Sequence, residues 1–331
     1  MSEEITIDPI TVDQIRKHRS MWADLFLRLV KEKPLGVVGG VIVIVLLLTG
    51  ILANVLAPFP YAEVHPQDAL LPPGGAYLLG TDGIGRDLLS RVIFGARISM
   101  IVGLCGSAIA GLLATIIGGI SGFFGGKFDT VVQRFVDSFM CFPPLFFLLA
   151  VMAVLGQGMM QVILVLGIQS GIGQSRVIRS AVIGIKENVY FDAATAIGAP
   201  WWEIFIRHVL PNVMAPIIIM LTLSMGSMIL MESVLSFLGF GIPPPMPSWG
   251  SMLSGEGRNY MYFAPWIAVW PGLALSIVIY GINMFGDAVR DILDPRLRGG
   301  LGRYEGVMKK KEKVLGAIID STQQTGKTNR I

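Results

Sequence analysis

The sequence predicts an all-α polytopic membrane protein with six transmembrane helices. Its N- and C-termini are expected to be cytoplasmic, with an amphipathic helix on that side between spans four and five. Three observations carry this. Hydrophobic residues make up 53% of the 331-residue chain and charged ones only 15%, against roughly 25% charged in soluble domains. Apolar runs of about 20 residues, enough to cross a hydrocarbon core of about 30 Å, recur along the chain. When the runs are threaded alternately, 22 of the 26 Lys and Arg residues fall on one side. Only Arg86, Arg91, Arg97 and Arg258 lie on the other, a positive-inside split that sets the orientation and predicts a multi-pass protein of the inner (cytoplasmic) membrane.

Residues 1–33 form a polar cytoplasmic segment. Within 15–30, Trp22, Leu25, Phe26 and Leu29 recur at helical spacing among basic residues, which predicts a helix lying along the membrane surface. No cleavable signal peptide is expected, because the first apolar run begins too late and is too long. That run, uncharged over 35–56, gives the first span (34–57), and an extracytoplasmic loop follows over 58–97. Residues 98–289 hold five more spans. The second, 98–124, is rich in glycine (Gly103, Gly106, Gly111, Gly118, Gly119, Gly122), as close helix packing requires. The third covers 131–155, with Arg134 and Asp137 near its start, and the fourth 159–175. The fifth covers 213–238 and contains Glu232, and the sixth covers 266–285. Residues 290–331 form a cytoplasmic tail whose Lys309-Lys310-Lys311 is either a plain solvated run or a contact for anionic lipid.

The segment 188–212 between spans four and five is unusual for a membrane loop. It reads YFDAATAIGAPWWEIFIRHVLPN from Tyr190. Tyr190, Phe191, Ala194 and Ile197 follow the i, i+1, i+4, i+7 pattern of one apolar stripe. Asp192 sits near the start of this helix, where the macrodipole favours negative charge. Gly198 breaks it, Ala199-Pro200 opens a second short helix with Trp201, Trp202, Phe205 and His208, and Pro211 marks the return to the membrane. An apolar, Trp-bearing helix is costly in water unless something covers it. The bland alternative folds it back onto its own lipid face.

Other candidates are weaker. Cys105 and Cys141 lie in apolar stretches and read as packing residues. His18, His65 and His208 are scattered, so no metal site is expected. Glu232 is an acid inside a span, by default a functional candidate, although a structural lock competes. Gln161, Gln169, Ser170, Gln174 and Asn283 are pathway candidates that interhelical hydrogen bonding explains equally well. Asp287, Arg290, Asp291, Asp294 and Arg296 read as a charged helix end. The tail's Thr325-Gly326-Lys327-Thr328 is no P-loop, since Ser321 stands where glycine is needed and no strand precedes it.

The order acid-Ala-Ala (Asp192, Ala193, Ala194), Gly198 six residues after the acid, and Leu210-Pro211 twelve beyond the glycine resembles the EAA loop of ATP-binding-cassette importer permeases. Further motifs agree: KPLGVVGG at the first span, GTDGIGRDLLSRVIFGARIS from Gly80, ESVLSFLGFGIPPPMPSWGSML from Glu232, and NMFGDAVRDILDPRL from Asn283. Together they resemble the dipeptide/oligopeptide/nickel importer family, C-type permease, over about residues 33–298. The resemblance implies a heterodimer with a related permease and two cytoplasmic ATPase subunits. An extracytoplasmic substrate-binding protein, contact with membrane lipid, no cofactor and no nucleic-acid partner are implied as well. It assigns ATPase coupling to the 192–198 helix, implies transport rather than enzymatic chemistry, and points to peptides, with nickel, glutathione and sugars carried by related systems. The family usually has Glu where Asp192 stands, which shortens the reach by one methylene. The rival reading is an ion- or proton-coupled secondary transporter titrating Glu232, which expects an internal repeat that the halves do not display. An intramembrane enzyme lacks the His, Ser–Lys or paired-Asp arrangement it needs.

Overall fold

The computed structural model describes residues 32–293. The surface helix expected over 15–30 and the basic tail lie outside the described residues. Helix α1 (Pro34–Ile51) begins on a proline that needs no helical N–H partner and is extended by the short α2 (Ala53–Leu56). Its 18 residues reach about 27 Å, close to one hydrocarbon core. It packs on the last helix backbone to backbone: a Cβ on Gly39 would stand 2.5 Å from the Gly281 carbonyl oxygen.

Helix α3 (Leu88–Phe124) starts ten residues before the apolar run that predicts it. Arg91 and Arg97 interrupt hydropathy but not helix geometry. Asp87 caps the start, its carboxylate accepting from the Ser90 N–H at 2.8 Å. At 37 residues, about 55 Å, α3 is longer than a hydrocarbon core of about 30 Å.

The third predicted span is not one rod. It divides into α4 (Gly126–Met140) and α5 (Pro144–Leu155), bent by 84° across the break. Pro143-Pro144 explains the break, since neither proline can donate a helical hydrogen bond and each bars α conformation before it. Helix α6 (Met159–Lys186) is 28 residues long and packs along α3 more extensively than any other pair of elements.

Next come α7 (Val189–Ala196) and α8 (Trp201–Ile204), a π turn over Phe205–Val209, and α9 (Leu210–Phe237). The expected second short helix is therefore not separate: Trp201–Phe237 forms one 37-residue helical run. Pro211 does not start the run but follows the π turn, where its missing N–H and its ring are accommodated by widened i→i−5 bonding. Short helices α10 (Trp249–Leu253) and α11 (Gly255–Asn259) lead to α12 (Trp266–Leu293).

Four of these helical stretches are long and apolar enough to cross a membrane, and the bent α4–α5 pair makes five. Helix α6 has the length but carries Arg176, Arg179 and Lys186 among three glutamines. One correction concerns the cysteines: Cys105 and Cys141 are both exposed on the surface of the chain rather than packed inside it. Burial habits drawn from water-soluble proteins fail where the surroundings are apolar. At the ends of α1 and α12, Lys33 pairs with Asp291 at 2.6 Å.

Candidate functional site

The 188–212 segment is built against the end of α3. The Asn188 side chain donates to the Gly184 and Ile185 carbonyls at 3.2 and 3.0 Å, closing the C-terminus of α6. The Lys186 ammonium donates to the Phe123 carbonyl at 2.6 Å. Around Phe123 stand Phe191 and Phe205, edge-to-face at 5.9 and 5.8 Å, and Trp201 rests on Phe124 at 5.5 Å. Ala194, Ile204 and Val209 are buried. Such edge-to-face aromatic contacts fix orientation as well as covering apolar area.

The predicted stripe is split by this packing. Phe191 turns inward and Ala194 is buried, whereas Ile197 is 84% exposed and Tyr190 40%. Residues i and i+1 diverge by about 100° around a helix, so one of them must leave any narrow face. The outward surface is instead Val189, Ile197, Trp201, Trp202 and Ile206, each more than half exposed, with exposed Asp192 beside them. Val189 and Ile206 carried no signal in the i, i+4, i+7 reading. Gly198 lies at φ +76° in open space, ending α7 as only glycine does readily. Leu210 is half-buried and Pro211 exposed, both at the junction of the π turn and α9.

A second feature runs along α6 and α9. A groove of about 280 Å³ is lined by Gln169, Ser170, Gln174 and Ser227, with Met228 and the α4–α5 bend forming its wall. A second hollow of about 450 Å³ shares Gln174 and Ser227 and ends at Arg290. Gln169 also donates to the Pro144 carbonyl at 2.9 Å, and the Ser224 hydroxyl donates to Gln174 at 3.1 Å. Asn283 lies apart, its amide oxygen 3.0 Å from where a Gly226 Cβ would stand.

Glu232 does not line the groove. It is fully buried near the end of α9, accepting from Ser236 at 2.7 Å and from Ser233 at 3.4 Å. Ser236 in turn accepts from the Ile242 N–H at 3.2 Å, so the carboxylate pins the chain where it leaves the helix.

At the same end of the molecule, the GTDGIGRD loop is a tight knot. Asp82 accepts from the Ile84 and Arg86 N–H groups and from Arg86 Nε at 2.5 Å. Arg86 also reaches Glu256 at 3.1 Å, and Glu256 accepts from the Gly83 N–H at 2.9 Å. Gly85, at φ +81°, approaches the His65 carbonyl so closely that a Cβ would stand 1.8 Å from its oxygen. The hub of the knot is Asp82.

Residues 114–299 match a family model described as binding-protein-dependent transport system inner membrane component. Residues 20–73 match the N-terminal transmembrane domain of oligopeptide transport permease C. A dipeptide transport system permease protein of Alkalihalophilus pseudofirmus is 37% identical over 84% of this chain and 91% of its own. An oligopeptide transport system permease protein of Bacillus subtilis is 34% identical over 86% and 92%. A glutathione transport system permease protein of Pectobacterium atrosepticum is 33% identical over 85% and 93%.

Proposed function

The chain belongs to the family of binding-protein-dependent transport system inner membrane components, the permease subunits of ATP-binding-cassette importers, and from that premise we propose that it carries peptides and is driven through its 188–212 segment. The relatives are named for dipeptides, oligopeptides and glutathione. All are amide-linked amino acids, which supports a peptide cargo here.

In this reading six spans cross the membrane: α1, α3, the bent α4–α5 pair, α6, the Trp201–Phe237 run and α12, with both termini cytoplasmic. The polar content of α6 is that of a helix facing a water-filled path rather than lipid. The groove of Gln169, Ser170, Gln174 and Ser227 supplies half of that path, and a related permease supplies the other half. Uncharged amides and hydroxyls suit a cargo whose constant feature is its amide backbone.

The observation that carries the coupling role is the outward apolar surface beside Asp192. Val189, Ile197, Trp201, Trp202 and Ile206 are held out by aromatic anchors on the opposite side of the segment. A rigid, apolar, aromatic patch at a membrane loop suits docking into a protein cleft. ATP binding would close a pair of ATPase subunits and drag this patch, rocking the spans to face outward, where a binding protein delivers cargo. The charged end of α12 borders the same side. Assigning proton coupling to Glu232 is less favoured, because its carboxylate is held among Ser233, Ser236 and Ser248 and away from the groove.

The test is co-purification of tagged chain from its native membrane, comparing wild type with an Asp192→Arg, Gly198→Asp double variant. ATPase subunits are expected with the wild type and not with the variant. A wild type that purifies alone and still transports would overturn the reading.

A further inference from the structure

The charged knot at the start of α3 borders a cavity of about 310 Å³. Its polar lining holds Arg86 and Arg91 together with Asp82, Glu256, Gln157 and three serines, and its apolar lining includes Ile242, Met246, Met252 and Ile267. Arg91 is 6% exposed. It has one hydrogen bond, from Nη1 to the Tyr61 carbonyl at 3.3 Å, and a loose ion pair with Asp82 at 3.5 Å. Its Nη2 and the Nη1 of Arg86 have no hydrogen-bond partner among the described residues.

The acids of the knot are spent. Both Asp82 oxygens and both Glu256 oxygens already accept from main-chain N–H groups or from Arg86. The unused hydrogen-bonding capacity of the two guanidinium groups in the wall is therefore donor only. A guanidinium with idle N–H groups takes an acceptor where one can reach it, and the planar fork fits a carboxylate two-pronged. Beside Gln157 and three serines, the rest of the lining offers Ile242, Met246, Met252 and Ile267, an apolar area sized for one side chain.

We propose that this cavity receives the carboxyl-terminal residue of the transported peptide, its α-carboxylate on Arg91 and Arg86 and its side chain against Ile242 and Met246. The proposal rests on the peptide reading above and names the end of the cargo that the permease holds as it leaves the binding protein. It lies on the side assigned to the exterior, apart from the amide- and hydroxyl-lined groove.

The test uses the intact importer, purified with its partner subunits and reconstituted into liposomes with its binding protein at saturation. Uptake of trialanine and of its C-terminal amide is measured beside ATP hydrolysis. Arg91→Met is expected to lower trialanine uptake at least 10-fold relative to hydrolysis and to leave the amide's uptake at its wild-type value. Met246→Trp, which fills the cavity from its apolar lining and makes no ion pair, is expected to lower trialanine uptake likewise; it decides the matter alone should Arg91→Met not assemble. Wild-type trialanine uptake in both variants overturns the proposal. So does a parallel loss of both uptakes and of binding-protein-stimulated hydrolysis in Arg91→Met, which would assign the carboxylate to the docked protein. A wild type that hydrolyses ATP but carries neither peptide removes the peptide reading itself, and this site with it.

Discussion

Gly118 on α3 lies so close to Ser175 on α6 that a Cβ on the glycine would stand 2.0 Å from the serine carbonyl oxygen. The obstacle is backbone, so no rotamer change relieves it. Helices in a bilayer gain their association from this kind of close approach, because lipid is as apolar as the side chains it replaces. Gly118→Val is therefore expected to push α3 from α6 and destabilise the subunit by about 2–3 kcal/mol or more. A thermal melt of the detergent-purified complex should show it, with Gly173→Ala, where nothing stands nearby, as the near-neutral comparison.

Arg179 on α6 makes a two-pronged pair with Asp129 on α4, Nε to Oδ1 at 2.6 Å and Nη2 to Oδ2, and Ser121 of α3 joins the same carboxylate. Three helices meet on one acid. The pair is only partly screened from solvent, so breaking it should cost less than the 3–5 kcal/mol of a fully buried one, about 1–2 kcal/mol. Asp129→Asn and Arg179→Met should each show that loss. The double variant should lose clearly less than the sum, as a double-mutant cycle on the melt would read.

Ile197 is mostly exposed and Phe191 is packed on Phe123, which lets the proposed docking role be tested apart from folding within seven residues. Ile197→Asp is expected to leave subunit stability within about 0.5 kcal/mol. It should weaken ATPase retention at least about 10-fold, or 1.4 kcal/mol, in a pull-down titration. Phe191→Ala should instead lower the melting temperature of the subunit before any partner is added. Equal retention in Ile197→Asp would exclude this surface.

Glu232 accepts from Ser236 and Ser233. Glu232→Gln keeps the size of the group and an acceptor oxygen for one serine, so ATP-driven uptake is expected to stay within about 3-fold of wild type. Glu232→Leu leaves both hydroxyls without their acceptor and should reduce assembled complex. Uptake abolished in Glu232→Gln with assembly intact would revive a titrating role.

Hydropathy located the apolar stretches well, because the bilayer demands one long apolar run per crossing and little else looks like it. It could not see direction, and so it read α4 and α5 as one rod. The Pro143-Pro144 pair was the available sign of the break. It also placed the start of α3 late, because Arg91 and Arg97 are polar yet helical. The acid, glycine and proline of the 188–212 segment were legible as punctuation: Gly198 does end α7. Which residues of that segment face outward was not legible, since this depends on Phe123 and Phe124 at the far end of another helix. The knot around Asp82 stayed hidden for a similar reason, as Glu256 arrives from 170 residues beyond Arg86.

The unbroken run from Trp201 to Phe237 has a mechanical consequence. Its length is about 55 Å, and the docking surface and Glu232 lie near its opposite ends. A tilt of about 5° applied at Trp201 would displace the far end by about 5 Å, taking the run as a straight lever of that length. At the far end Ser236 accepts from the Ile242 N–H, which ties the last turn of the run to the chain that follows it. Local slack along the run comes from the π turn at Phe205–Val209, where one extra residue per turn can be gained or lost, and from Pro216, which leaves a helical hydrogen bond unmade. Under the proposed coupling, these two points set how much of a push at the 188–212 segment arrives at the other end of the run, much as a clutch sets how much of an engine's torque reaches the wheel.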